Sequence, residues 1–174
     1  EAVRGGRLGV DWYNVLITVE SYLKGCPVFL ADDGLLRDSS GVHGSYHPGR
    51  VTEAAVRKIL ESVTRLAPAR LELFLDSPIS HSGAMAESLR RQIALRAAFP
   101  ASVSLSPSAD FPLKSFTGVV ATSDSSIIDR DGVRAVLDLA RLVLEASFDA
   151  RLPAAADAFS PPAARGPERG GTPA

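Results

Sequence analysis

Apolar and polar positions fall into short blocks along the chain, and the blocks carry two different periods. The run RLGVD (7–11) predicts a first strand and Asn14–Leu23 a helix after it. VFLA (28–31) and residues 35–37 flank Asp32-Asp33-Gly34, and an Asp-Gly pair between apolar runs signals a hairpin turn. Glycine, serine, histidine and proline fill residues 39–49, a loop. Val56, Ile59, Leu60 and Val63 then recur at helical spacing within 51–66. LELFLD (71–76) predicts a strand leading into the loop DSPISHSG. Met85, Leu89 and Ile93 predict a third helix, with Ser80 or Ser82 as its N-cap. SVSLS (102–106) is a short strand, and 107–117, with two prolines, is irregular. GVVAT (118–122) is the nearly continuous apolar run of a strand buried on both faces. Val133, Val136, Leu137, Ala140, Val143 and Leu144 predict a last helix, with Asp131 near its start. Strands alternating with helices imply an α/β fold: a three-layer α/β/α domain on a mostly parallel sheet, with the hairpin inserted.

Composition sharpens the boundaries. From Arg151 onward proline, alanine, glycine and arginine dominate with no period, so residues 150–174 are expected to form a disordered tail. The folded part is then residues 5–149. Arg151, Arg165 and Arg169 in the tail are available to an anionic partner, although solvation explains them as well. With 19 basic and 20 acidic residues, the net charge of −1 excludes a binder that works by bulk positive charge, but not one with a local basic groove. Arginine outnumbers lysine 16 to 3. The single cysteine, Cys26, excludes an internal disulfide and any cysteine-only metal site, so a reducing, cytoplasmic setting is expected. No apolar stretch reaches the roughly 18 residues of a membrane span. The chain opens on EAVRGG, without a signal peptide or initiator methionine, as a fragment or processed product does.

Acids stand at the strand ends. The first strand ends at Asp11, the LELFL strand at Asp76 and the GVVAT strand at Asp124, and Asp110 follows the SVSLS strand. Parallel sheets bind ligands beyond the carboxyl ends of their strands. Neighbouring strands lie about 4.8 Å apart, so such carboxylates would converge and repel unless a cation neutralises them. Mg²⁺ or Mn²⁺ suits oxygen ligands of this kind, and phosphodiester hydrolysis is the expected reaction. Any one of these aspartates can equally cap a helix or form a turn; three on successive strand ends favour a site.

Other polar residues have competing readings. Asp32 and Asp33 belong to the hairpin turn, and Asp129 and Asp131 to the start of the last helix. His43, His47 and His81 fall in loops, where surface placement is the simpler reading. The loop carrying His43, His47, Tyr46 and Arg50 could also line a substrate groove. Trp12 and Tyr13 could stack on a base or belong to the core. The serines of DSPISHSG could offer donors to a phosphate at a helix N-terminus, or simply cap it. There is no dinucleotide-binding glycine fingerprint, no P-loop and no nucleophile elbow. Asp11 is not followed by a second aspartate two residues on, which disfavours a haloacid-dehalogenase-type phosphatase.

LGVDWYNVL, LELFLD, SADF and GVVATSD, in this order and spacing, resemble the NYN branch of the PIN-like nuclease superfamily. The resemblance covers roughly residues 7–147 and extends, through ADDGLLRDSSGVHGSY and DSPIS, to an uncharacterised prokaryotic PIN-like family. It implies a central strand flanked by the second and fourth, with Asp11 between Asp76 and Asp124. It implies that Asp11 and Asp124 anchor a Mg²⁺ or Mn²⁺ ion, that Asp76 completes the site, and that Asp110 binds a second ion or orients water. Asn14, Thr122 and Ser123 would support them. Trp12 stands where the branch usually has glycine, and Ser126 where many members have another acid. The expected function is a divalent-metal-dependent nuclease acting on RNA, with DNA as the other strand to consider. Arg37, Arg50, Arg90 and Arg91 are candidate phosphate contacts. Two alternatives are a non-catalytic RNA- or protein-binding module with a vestigial metal site, and a phosphohydrolase acting on small nucleotides.

Overall fold

Five parallel strands run through the centre of the molecule. The structure, a computed structural model, describes residues 3–41, 46–128 and 135–158. His43, Asp129, Asp131, Val133, Arg165 and Arg169 lie outside the described residues. The elements are β1 (Arg7–Asp11), α1 (Trp12–Leu23), β2 (Val28–Leu30), β3 (Leu36–Asp38), α2 (Thr52–Leu66), β4 (Arg70–Asp76) and α3 (Ser82–Arg96). They continue with β5 (Ala101–Ser106), α4 (Asp110–Leu113), β6 (Val119–Ala121), α5 (Ser125–Ile128), β7 (Ala135–Leu137), α6 (Leu139–Phe148) and α7 (Ala155–Ala158). The sheet order is β5-β4-β1-β6-β7, with every pairing parallel, and β2-β3 forms a separate antiparallel hairpin. This is the three-layer α/β arrangement that the alternation of patterns predicts.

The two faces of the sheet are clothed differently. Side chains alternate along a strand, so Leu8 and Val10 of β1 face one way and Gly9 and Asp11 the other. On the first side, Leu8, Val10, Leu71, Leu73, Leu75, Val103, Val119 and Ala121 pack against apolar residues of α1, α2, α3 and α6 in one continuous core. The second side carries a smaller cluster: Phe74, Ala109, Leu113, Phe116, Val120 and Ile127, under the one-turn helices α4 and α5. Gly9 makes room for it, because a Cβ there would lie 3.0 Å from the Phe116 ring. The Arg7 guanidinium lies over that ring at 4.8 Å and pairs with Glu72.

Several boundaries depart from the sequence reading. α1 begins at Trp12, directly after Asp11, rather than at Asn14. Trp12 and Tyr13 are fully buried in the core, the simpler of the two readings of that pair. The irregular segment 107–117 contains the single turn α4. His81, in a left-handed conformation with φ 63°, occupies the N-cap position of α3; neither Ser80 nor Ser82 caps it, and the Ser82 hydroxyl donates to the Ser77 carbonyl instead. The expected last helix is two elements: Val136 and Leu137 belong to β7, and Ala140, Val143 and Leu144 to α6. Asp138 separates them and caps α6, accepting from the Arg141 amide at 2.9 Å. The expected tail begins with contacts to the hairpin. Pro153 accepts from the Leu30 amide, Ala154 bridges Leu30, and α7 follows.

The hairpin is thereby held at both strands. Its turn is the expected one, with Gly34 at φ 79° and the Asp33 carboxylate accepting from the Leu35 amide. The Leu36 amide donates to Asp138 Oδ2 at 2.6 Å, so one carboxylate both caps α6 and pins the hairpin. Burial raises the pKa of that carboxyl. Asp138→Ala removes the cap and orphans a buried amide, and is expected to cost about 2 kcal/mol in urea denaturation, whereas Asp138→Asn retains most of it.

Candidate functional site

The register of the sheet determines which polar groups meet. Val10 pairs with Ala121, so Asp11 comes opposite Thr122, whose hydroxyl donates to Asp11 Oδ2 at 2.9 Å. Asp11 also pairs with Phe74, which puts Asp76 two residues further along on the same side of the sheet. Asp11 thus stands between Asp76 and Asp124, at the carboxyl end of the central strand. Asp76 Oδ1 accepts from the Ala109 amide at 2.8 Å, tying β4 to the start of α4. This brings Asp110 alongside, held by Lys114 at 3.0 Å and the Ser126 hydroxyl at 3.1 Å. Asp124 leads into α5: its amide donates to Thr122 Oγ1 and its carboxylate accepts from the Ser126 amide. Ser126 therefore links Asp110 and Asp124.

These four carboxylates line one open cavity of about 340 Å³. Asn14, Ser123 and Arg37 line it as well. Asn14 Oδ1 accepts from both the amide and the hydroxyl of Ser123, at 2.9 and 3.1 Å, stitching α1 to the end of β6. A fifth aspartate, Asp38 at the end of β3, also lines the cavity and was passed over in the sequence. It accepts from Thr18 at 3.4 Å and from the amide and hydroxyl of Ser40. Only its place in a hairpin that folds back onto α1 marks it out, and no local motif records that. The other candidates do not come here. Arg50 is exposed and lies off the cavity. Arg90 donates to the Val103 carbonyl, and Arg91 pairs with Glu87 on the outside of α3. His47 and His81 are exposed. Tyr46, expected at a substrate groove, is buried with its hydroxyl on Glu20.

The electrostatics single out Asp11. Only 3% exposed, it has its pKa pushed up to about 7, first by desolvation and then by the charges of Asp76, Asp110 and Asp124, against the lowering effect of the Thr122 hydrogen bond. A carboxylate left charged in such a place calls for a cation. Among the described residues, no three His, Cys, Asp or Glu side chains are grouped closely enough to hold a metal ion by themselves. Mg²⁺ does not require such a cage, since one or two carboxylates complete its shell with water and substrate oxygens. The donor set, all hard oxygen, fits that mode of binding.

Fold and site together define a parallel α/β protein with an acidic cavity at its strand ends. The chain belongs to the family described as domain of unknown function DUF5616, which matches residues 1–142. It is 32% identical over 142 residues to uncharacterized protein MJ0935 of Methanocaldococcus jannaschii, across 82% of this chain and 67% of that protein. No solved structure matches it. Among the described residues, no helix is long and apolar enough to cross a membrane.

Proposed function

We propose that the protein is a cytoplasmic, divalent-metal-dependent nuclease of the PIN-like kind, hydrolysing phosphodiester bonds in RNA. The observation that carries this reading is Asp11: a buried carboxylate at the centre of the sheet, electrostatically coupled to three others around one cavity. When bound, Mg²⁺ or Mn²⁺ would neutralise these charges, polarise a phosphoryl oxygen and make a bound water more acidic. Asp11, Asp76 and Asp124 are the residues to hold it. Thr122 orients Asp11 by its hydroxyl and Asp124 through the backbone, so two ligands share one support. Asp110, tethered by Lys114 and Ser126, is suited to orient a water rather than to anchor an ion. Asn14 fixes Ser123 beside them.

Cleavage of labelled single-stranded RNA and DNA in Mn²⁺ tests the proposal. The wild type is expected to cut, preferring RNA, and Asp124→Asn to lose about 100-fold or more in rate while keeping the wild-type melting temperature in chelator. Cleavage by Asp124→Asn at the wild-type rate sinks the assignment. The Lys114 ion pair on Asp110 favours a second reading, a binding module with a vestigial site. That reading predicts RNA binding without cleavage, indifferent to chelation and to Asp124→Asn.

A further inference from the structure

Five aspartates line the cavity, and Arg37 is the one cation among its described lining residues. Its guanidinium is held in a two-pronged pair by Asp33, with Nη1 to Oδ1 at 2.8 Å and Nη2 to Oδ2 at 2.6 Å. A planar guanidinium has five N–H donors, and this pair accounts for two. The hairpin that carries both residues is fastened to Asp138 and Pro153, so the fork is presented from a fixed arm. Arg37 also feels the charges of Asp124 and Asp138, which together with Asp33 raise its pKa.

We infer that Arg37 is the phosphate-binding residue of the cavity and that Asp33, which lies outside the cavity lining, is the positioning residue that aims it at the substrate strand. The inference rests on the nuclease reading for the identity of the strand. Arginine suits the task because its fork can grip a carboxylate on one edge and a phosphate on another. An unassisted arginine beside so many carboxylates would fold down onto one of them. The Asp33 pair holds it back and leaves donors for an incoming anion.

The experiment measures binding of a labelled single-stranded oligoribonucleotide with phosphorothioate linkages to the full chain in Mn²⁺, by fluorescence anisotropy across a salt series. Arg37→Ala is expected to weaken binding about 10- to 100-fold. It should also make the slope of log K against log salt shallower by about 0.7, the value of one contact to a single strand. Asp33→Asn is the sharper variant. It removes a negative charge, so charge alone predicts tighter binding; the positioning role predicts binding weakened several-fold with the wild-type salt slope. Its Asn oxygen can still accept from the Leu35 amide, so the turn is kept. Arg37→Lys should retain the slope and recover only part of the affinity. Tighter or unchanged binding by Asp33→Asn overturns the positioning role, and an unchanged slope in Arg37→Ala overturns the phosphate contact. Failure of the wild type to bind overturns both. Cleavage of an unmodified strand, followed in parallel, reports on the nuclease reading separately.

Discussion

In chelator at pH 8, Asp11→Asn is expected to melt several degrees above the wild type, and the gap should close as pH falls toward 4. Asp11 has a folded-state pKa near 7 against 3.8 for an ordinary aspartate. Its folded form therefore holds the proton more tightly than the unfolded chain. Stability is greatest below about pH 4, falls as pH rises through the interval up to 7, and is level above it. A shift of about three units sets the ceiling near 4 kcal/mol, and for a domain of this size each kcal/mol moves the melting temperature by roughly 2–4 °C. Asparagine cannot ionise and can still accept from Thr122, so it escapes the penalty. Mn²⁺ should close most of the gap at pH 8, because an ion bound only by the folded wild type adds about 2.7 kcal/mol at 100 times its dissociation constant. A gap that is the same at pH 4 and pH 8 contradicts the buried-charge account. Failure of Mn²⁺ to raise the wild type contradicts the metal.

Asp11 was visible in the sequence because three signals coincided: an apolar strand, an acid at its end, and the same pattern twice more downstream. Strand ends report on the site wherever the strand is long enough to have a period. β7 is three residues long, and its Val136 and Leu137 fall in helical step with Ala140 of α6, so strand and helix merged into one apparent helix. Asp138, the cap that divides them, has no local mark beyond being an acid. Arg50 and Arg90 show the converse problem. Their chemistry suits phosphate, but nothing in the neighbouring residues tells which arginine a hairpin will swing over the cavity. Trp12 and Tyr13 were read more readily as core than as ligand contacts, and the packing around them bears that out.

Glu20→Ala is expected to be the most damaging substitution away from the cavity, lowering stability by about 3–5 kcal/mol and with it the urea midpoint. The Glu20 side chain, 1% exposed, sits on α1 and accepts three bonds: Tyr46 at 2.7 Å, Thr52 at 2.6 Å and Lys24 at 2.6 Å. Thr52 in turn accepts from the Gly49 amide, so one carboxylate gathers the end of the 39–49 loop and the start of α2. The Tyr46 ring also packs on Tyr13 at 5.3 Å. Alanine would strand two buried hydroxyls and break the ion pair with Lys24. Glu20→Gln keeps an acceptor for the hydroxyls and should lose less than half as much. A midpoint unchanged by Glu20→Ala would mean that the loop is held by its apolar contacts alone.

The unequal clothing of the sheet gives the cavity two clocks. Asp11 and Asp76 project from strands at the heart of the sheet, where amide hydrogens are expected to exchange only when the whole domain opens. Asp110 and Asp124 belong to α4 and the approach to α5, single turns over a cluster of six buried side chains. A helix of one turn cannot sustain itself and depends on what lies beneath it. The amides of the cavity's wall are therefore expected to exchange their hydrogens well before those of its floor, a difference that hydrogen exchange read by mass spectrometry would show.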